Sequence, residues 1–327
     1  MKYRMLGKTG IKVSEIGFGA WAIGGTWGTV RDDESIDALE TAVENGINFF
    51  DTADVYGDGK SEKLLSKIKK EYGDQIHIAT KAGRRLNPHN ADGYNYENLK
   101  KFISRSMENL GMKELELLQL HCPPWEVYYK PEVFDDLERL RNEGLIINYG
   151  VSVEKVEEAI KAIEYPGVST VQIIFNIFRQ RPADLFFQLA ERKNVGIITR
   201  VPLASGLLTG KFKGKETFEK DDHRNFNRKG ESFDRGETFA GVDFETGVRI
   251  VERIKPLVPK DHTMAQFALK WILMHRQVST VIAGAKKEQQ VIENIGSSGM
   301  KDLDTETMEK IEEIYNNNVK SSVHQYW

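Results

Sequence analysis

Cysteine is almost missing from this sequence: Cys122 is the only one in 327 residues. An internal disulfide is therefore impossible, and a reducing, cytoplasmic setting is expected. An excess of one charge is missing too. Lys and Arg number 46 against 49 Asp and Glu, a net charge of −3. That balance attracts neither nucleic acid nor an anionic membrane, no basic stripe with interleaved aromatics is present, and neither partner is expected. No apolar run reaches about 18 residues, so no membrane span is expected. The opening Met1–Gly7 lacks the apolar core of a signal peptide. The seven histidines contain no HExxH and no H-x-H spacing, which argues against a zinc hydrolase and for no metal at all.

What is present is core-forming material, with 40% apolar and 29% charged residues. That balance disfavours disorder, collagen and coiled coil. The length suits either two domains of about 150 residues or one large α/β barrel of roughly 250 residues with insertions. Short apolar runs alternate with helical-period stretches. Candidate strands are 16–19, 47–51, 76–80, 115–121, 146–151, 170–175, 195–201 and 279–284. Most are continuously apolar, as strands buried on both faces should be. Candidate helices are 33–44, 95–110, 131–142, 153–164 and 182–193, and Thr263 N-caps one through His275. Gly46, Gly111 and Gly144 stop the helices that precede them.

Eight strands alternating with helices predict a parallel sheet with right-handed crossovers that closes into a (β/α)8 barrel, one domain over 1–327. An open doubly wound sheet is the alternative. Residues 1–13 are expected to form a β-hairpin that plugs the barrel bottom. Residues 210–245 hold Phe212, Phe218, Phe226, Phe233, Phe239 and Phe244 among mixed charges and are expected to form a long lid or binding loop. The run Gly17-Phe18-Gly19-Ala20-Trp21-Ala22 fits the loose dinucleotide pattern, with Asp37 about twenty residues on. Its context is wrong, because Gly24, Gly25 and Gly28 follow where a helix should begin.

In a barrel of this kind, reactive groups gather where strands end at the C-terminal face. The second candidate strand ends in Asp51 and leads to Tyr56, the third ends in Thr80-Lys81, and the fourth ends in His121. Separately, Asp51 is a turn cap, Tyr56 a half-buried ring, Lys81 a solvated amine and His121 a core imidazole. Together they form a set. A buried lysine needs a carboxylate, and an ammonium beside a phenol favours phenolate and lowers its pKa from about 10. An imidazole can donate to a substrate oxygen. A different chemistry, with Lys81 as a Schiff-base nucleophile, would require a desolvated lysine without a strong carboxylate partner.

Asp51-Thr52-Ala53-Asp54-Val55-Tyr56-Gly57, Ser61-Glu62, Thr80-Lys81 and Leu118-Gln119-Leu120-His121 resemble the aldo-keto reductases. The resemblance runs nearly end to end, through Leu6–Gly10, Gly17–Gly19, Gly150–Ser152, Pro202–Lys211 and Val281–Lys286. It implies a barrel that binds NADPH without a Rossmann domain and reduces an aldehyde or ketone. By this resemblance Tyr56 is the general acid, Lys81 and Asp51 tune it, and His121 orients the carbonyl. Gly19, Ala20, Trp21 and Asp51 border the cofactor, and Ser152 and Gln172 hold the carboxamide. Arg200, Val201, Pro202, Leu203, Ser205 and Leu207 follow the pyrophosphate, with Lys211 on a phosphate. Gly284, Ala285, Lys286, Gln290, Glu293 and Asn294 surround the adenosine end, where a helix starting near Lys286 presents its N-terminus. Trp21 and Trp125 border the substrate beside Tyr56 and His121.

Three positions depart from the family pattern. Arg200 stands where an aromatic ring usually stacks on the nicotinamide, and its cation is expected to disfavour the oxidised cofactor. Val153 replaces the asparagine that often follows Ser152. Gln290 replaces a basic residue, leaving Lys286 and Lys287 for the 2′-phosphate. The resemblance also admits a non-catalytic NADPH-binding regulatory subunit, like the channel-associated members of the family. The sequence names neither the carbonyl substrate nor the oligomeric state.

Overall fold

The structure, a computed structural model, describes residues 1–25 and 31–327; Gly28, one of the three glycines weighed against the dinucleotide motif, lies outside the described residues. Strands β1 (Tyr3–Met5) and β2 (Lys12–Ser14) form an antiparallel hairpin. Eight further strands follow: β3 (Ile16–Gly19), β4 (Phe49–Asp51), β5 (His77–Ala82), β6 (Leu115–His121), β7 (Ile146–Ser152), β8 (Val168–Ile174), β9 (Gly196–Arg200) and β10 (Val278–Gly284). They close in sequence order, with β10 beside β3, and every pairing is parallel. The expected (β/α)8 barrel is what forms, and the open sheet is excluded. A turn at Ala22–Gly24, not a helix, follows β3, which removes the dinucleotide reading as well.

Apolar side chains put the core on both sides of the cylinder. Phe49, Ala79, Leu117, Ile198 and Ile282 form one apolar cluster with Leu6 and Val13 of the hairpin segment, so the hairpin packs against the barrel. Arg4 fixes it there by donating to the carbonyls of Leu273, His275 and Val278 at 2.8–3.3 Å. The outer strand faces pack on the helices in one larger cluster.

The helices among the described residues are α1 (Asp32–Glu44), α2 (Lys60–Tyr72), α3 (Tyr96–Leu110), α4 (Pro131–Asn142), α5 (Val156–Ala162), α6 (Phe186–Arg192), α7 (His223–Phe226), α8 (Phe244–Ile254), α9 (Met264–Leu273), α10 (Glu288–Gly299), α11 (Thr305–Asn318) and α12 (Lys320–Val323). The N-cap at Thr263 forms as expected, with Gln266 completing a capping box, but α9 stops two residues short of His275. The helix expected from Val153 begins at Val156 instead. The Glu158 carboxylate accepts the Glu154 and Lys155 amides and so fixes the start three residues later. The helix expected over 182–193 is split, because Pro182 sits in a separate turn, Arg181–Ala183, and Leu185 leaves helical geometry before α6. The 210–245 segment contains no strand, and α8 begins inside it at Phe244 because Asp243 caps it by accepting from the Thr246 amide. Phe212, Phe218, Phe239 and Phe244 lie ring against ring at 4.9–5.9 Å. This aromatic cluster folds the loop on itself, and Phe239 and Phe244 join it to the larger core cluster.

Candidate active site

Parallel strands all point their C-terminal ends one way, and this brings Asp51 on β4, Lys81 on β5 and His121 on β6 to one mouth. Tyr56 arrives on the turn after β4, its amide donating to the Ala53 carbonyl at 3.1 Å. The Lys81 side chain is fully buried. Its Nζ donates to Asp51 Oδ1 at 2.5 Å, to the Thr52 carbonyl at 2.8 Å and to Tyr56 Oη at 3.3 Å. Asp51 Oδ2 accepts from Gln172 Nε2 at 2.7 Å and Gln119 Nε2 at 3.1 Å. Both oxygens of this buried carboxylate are therefore satisfied, as a buried ion pair requires. The Tyr56 ring lies parallel to Trp21 at 6.2 Å and edge-on to His121 at 5.8 Å.

The electrostatics correct one expectation. Burial pushes the Tyr56 phenol above its ordinary pKa; the Lys81 cation pulls it down but does not win, and Asp51 adds to the rise. The sequence argument counted the cation and omitted the desolvation of the phenolate. The phenol is held protonated, the state a proton donor needs. Burial presses the Lys81 ammonium down, but Asp51 and Tyr56 outweigh it and raise its pKa, so it stays charged. A Schiff-base lysine would need the reverse. Burial, then Arg84 and Lys81, push the His121 imidazole well below its usual pKa. It is neutral, and its Nδ1 has no hydrogen-bond partner among the described residues.

A cavity of about 410 Å³ opens from this floor. Of the predicted residues, Gly19, Trp21, Asp51, Tyr56, His121, Ser152, Gln172, Arg200, Val201, Pro202, Leu203, Ser205, Lys211, Gly284, Ala285, Lys286 and Gln290 line it, and Lys81 lies just beneath. Ala20 and Leu207 do not line it; both are buried in the apolar core. Glu293 and Asn294 do not line it either; Glu293 faces the lining residue Lys211 at 3.7 Å. Trp125 is not brought in either. The turn Trp125–Tyr129 that follows Pro123-Pro124 leaves its ring 59% exposed, edge-on to Tyr129.

Arg200 behaves differently from expectation. Its Nη2 donates to the Val153 carbonyl at 2.9 Å and Glu154 at 3.0 Å, and its Nη1 lies 3.5 Å from Glu237. Arg84 pairs with the same two carboxylates, at 3.2 Å from Glu237 and 3.7 Å from Glu154. Two guanidinium groups and two carboxyl groups thus form a quartet in the cavity wall, with Glu237 held ionised by the two arginines while burial pushes Glu154 up to about 7, so the Arg200 charge is answered in large part within the protein and the expected penalty on an oxidised cofactor is weakened. Cys122, Glu154 and Glu237 hold ligand atoms within 4.8 Å of one another, yet the Arg200 guanidinium already fills that space. Burial pushes the Cys122 thiol far up, which makes it an inert wall residue.

The far end of the cavity is basic. Lys211, Arg224 and Lys286 line it. Asp222 binds Arg224 through both oxygens. Burial and then Arg224 lower the Lys286 pKa, a strain on the ammonium that an anion placed beside it would relieve. The Gln290 side chain accepts the Lys286 amide at 2.8 Å at the start of α10. Ser205 Oγ is engaged with the loop, donating to the Glu237 carbonyl at 3.1 Å and accepting the Phe239 amide at 3.0 Å. A neutral imidazole and polar Ser152 and Gln172 stand at one end of the cavity, and cations at the other. This donor set fits a nicotinamide dinucleotide. The sequence reading missed Glu237, Arg224, Phe212, Thr209 and Ala22 on the wall and Glu154 in the quartet. A charge count in the loop could have flagged Glu237; no local signal marks it as the partner of Arg84 and Arg200.

The comparisons agree with this geometry. The sequence pattern of the aldo/keto reductase family matches residues 15–316. The chain is 29% identical to aldo-keto reductase YhdN of Bacillus subtilis, over 99% of this chain and 96% of that protein. It is equally 29% identical to a probable voltage-gated potassium channel subunit beta of Arabidopsis thaliana, covering 96% of each. Among solved structures, the glycerol dehydrogenase AKR11B4 of Gluconobacter oxydans superposes with a TM-score of 0.80 at 26% identity, covering 97% of this chain and 96% of that one.

Proposed function

The chain belongs to the aldo/keto reductase family, and from that premise we propose that it reduces an aldehyde or ketone to the alcohol with hydride from NADPH. Oxidoreductases of this family generally use a nicotinamide cofactor. One observation carries the reading: a charged, buried Lys81 donates to both Asp51 and the Tyr56 phenol. The bound cofactor supplies the hydride for the carbonyl carbon. Tyr56 gives its proton to the carbonyl oxygen, and Lys81, 3.3 Å away, stabilises the phenolate left behind. Asp51 keeps Lys81 charged. Gln119 and Gln172 keep Asp51 in place. Neutral His121 donates its N–H to the same carbonyl oxygen and fixes which face meets the hydride.

Ser152 and Gln172 hold the carboxamide, the Arg200–Lys211 segment follows the pyrophosphate, and Lys286 with Lys287 meets the 2′-phosphate. Residues 210–245 serve as the cofactor and substrate loop of one barrel domain. The lone cysteine suits a reducing, cytoplasmic setting; no described helix is long and apolar enough to cross a membrane.

The plant relative supports a second reading, a non-catalytic NADPH-binding subunit. The intact four-residue set favours catalysis over it. Fluorescence titration with NADPH and NADH, followed by stopped-flow oxidation of NADPH on an aldehyde panel, separates the two. Tight NADPH binding with no oxidation on any carbonyl would move the assignment to the subunit.

A further inference from the structure

Behind the strap that carries Glu237, a tryptophan is wedged into a notch. The Trp327 ring is almost completely buried. A Cβ placed on Gly241 would lie 2.5 Å from its Cη2, and one on Gly236 would lie 2.9 Å from its Cε2. Only glycines permit that approach. The indole Nε1 donates to Asp234 Oδ1 at 2.8 Å, the same oxygen that accepts the Gly236 amide at 2.7 Å. The Arg179 guanidinium covers the ring face at 4.0 Å, and Arg181 binds the Trp327 carbonyl at 2.7 Å. Between the two glycines, Phe239 and Ala240 adopt φ of +54° and +57°. Side-chain-bearing residues persist in that region only where surrounding structure imposes it.

Glu237 lies on the other side of this notch and reaches forward to Arg84 and Arg200. We propose that Trp327 is a positioning residue that sets substrate charge preference: by filling the Gly236–Gly241 notch it holds the Glu237 carboxylate in the cavity wall, where it cancels one of two guanidinium charges. With Glu237 withdrawn, Glu154 alone faces Arg84 and Arg200, and the mouth becomes more positive. The mouth as built suits an uncharged carbonyl compound; without the wedge it favours an anionic one. This inference rests on the reductase reading for its substrate side, while the docking of the strap stands apart from it.

The test uses W327A, W327F and E237Q in the full chain. Hydrogen–deuterium exchange of 234–241 reads the wedge without turnover. The ratio of kcat/KM for 4-carboxybenzaldehyde over its methyl ester, with NADPH, reads the charge at the mouth. W327A is expected to raise exchange across 234–241 while the barrel strands keep their protection. W327A and E237Q should both raise the acid-to-ester ratio roughly tenfold, the order expected for one uncompensated charge in a half-buried site. W327F keeps the ring in its notch and should stay within about twofold of the wild-type ratio. Unchanged exchange in W327A overturns the proposal. So does raised exchange with an unmoved ratio in both W327A and E237Q. If the wild type turns over neither aldehyde, the reductase reading fails by itself, exchange still decides the wedge, and calorimetric binding of the same two compounds decides the charge.

Discussion

The two ends of the cavity are built from different materials. The floor, with Asp51, Lys81 and His121, stands on neighbouring barrel strands whose register fixes each side chain. The outer wall, with Glu237, Arg224 and Phe212, comes from one long segment between β9 and α9. The floor is held by backbone ladders that a closed barrel shares around its whole circumference. The wall is held by side-chain contacts: the quartet, the phenylalanine cluster and the Trp327 wedge. Chemistry that tolerates little displacement sits on the rigid part, and contacts that select a substrate sit on the part that changes at low cost.

Four experiments test that contrast. The largest effect is expected at the floor: Tyr56→Phe should lower kcat for carbonyl reduction by about 10²–10⁴-fold with NADPH binding intact by fluorescence, and full turnover would remove Tyr56 from its role. Lys81→Met should follow. It leaves Asp51 buried without its cation, and urea unfolding should show a loss of about 3–5 kcal/mol, together with loss of activity.

Acid should loosen the wall locally, while the floor, whose neutral His121 loses stability over the same range, is still held in place by its backbone ladders. Burial outweighs Asp222 and lowers the His223 pKa to about 4. A depressed folded pKa means that docking of neutral His223 is fully present above the ordinary value of 6.5 and is lost as pH falls toward 4. Glu237 acts later. Burial alone would raise its pKa, but Arg84 and Arg200 overcome that and hold it at about 2, so its contribution is present above 4.5 and lost between 4.5 and 2. Limited proteolysis within 210–245 should therefore speed up as pH drops from 6.5 to 4 at unchanged far-UV circular dichroism. Uniform protection over that range would show that the wall is as rigid as the floor. The smallest effect is expected at Trp125→Ala, within about 0.5 kcal/mol of wild-type stability, because the exposed ring touches Tyr129 rather than the cavity; a large rise in KM would return Trp125 to the substrate site.

The same contrast explains what the sequence made legible. Floor residues end apolar runs, so Asp51, Lys81 and His121 are marked by position, and Tyr56 follows in the same motif. Helix α2 left no such mark: Leu64, Leu65 and Ile68 are its apolar stripe, but the lysines around them dilute the period. On the wall, Glu154 and Glu237 lie 83 positions apart in sequence and meet in space around Arg200 and Arg84. A buried charge is specified by its partner in space, and one sequence read along its length shows the charge without the partner. For that reason Arg200 read as an isolated cation, and for the same reason the desolvation of Tyr56 was invisible.

The seam between β10 and β3 joins Val281 to Ile16 and Gly284 to Gly19, so the cylinder is stitched shut by segments from nearly opposite ends of the chain. Until β10 emerges in synthesis, β3 and β9 each present a bare row of donors and acceptors. Arg4, which grips the turn just before β10, then locks the seam from below. A nascent chain stalled before residue 278 would carry every group of the floor and still lack a finished vessel to hold them.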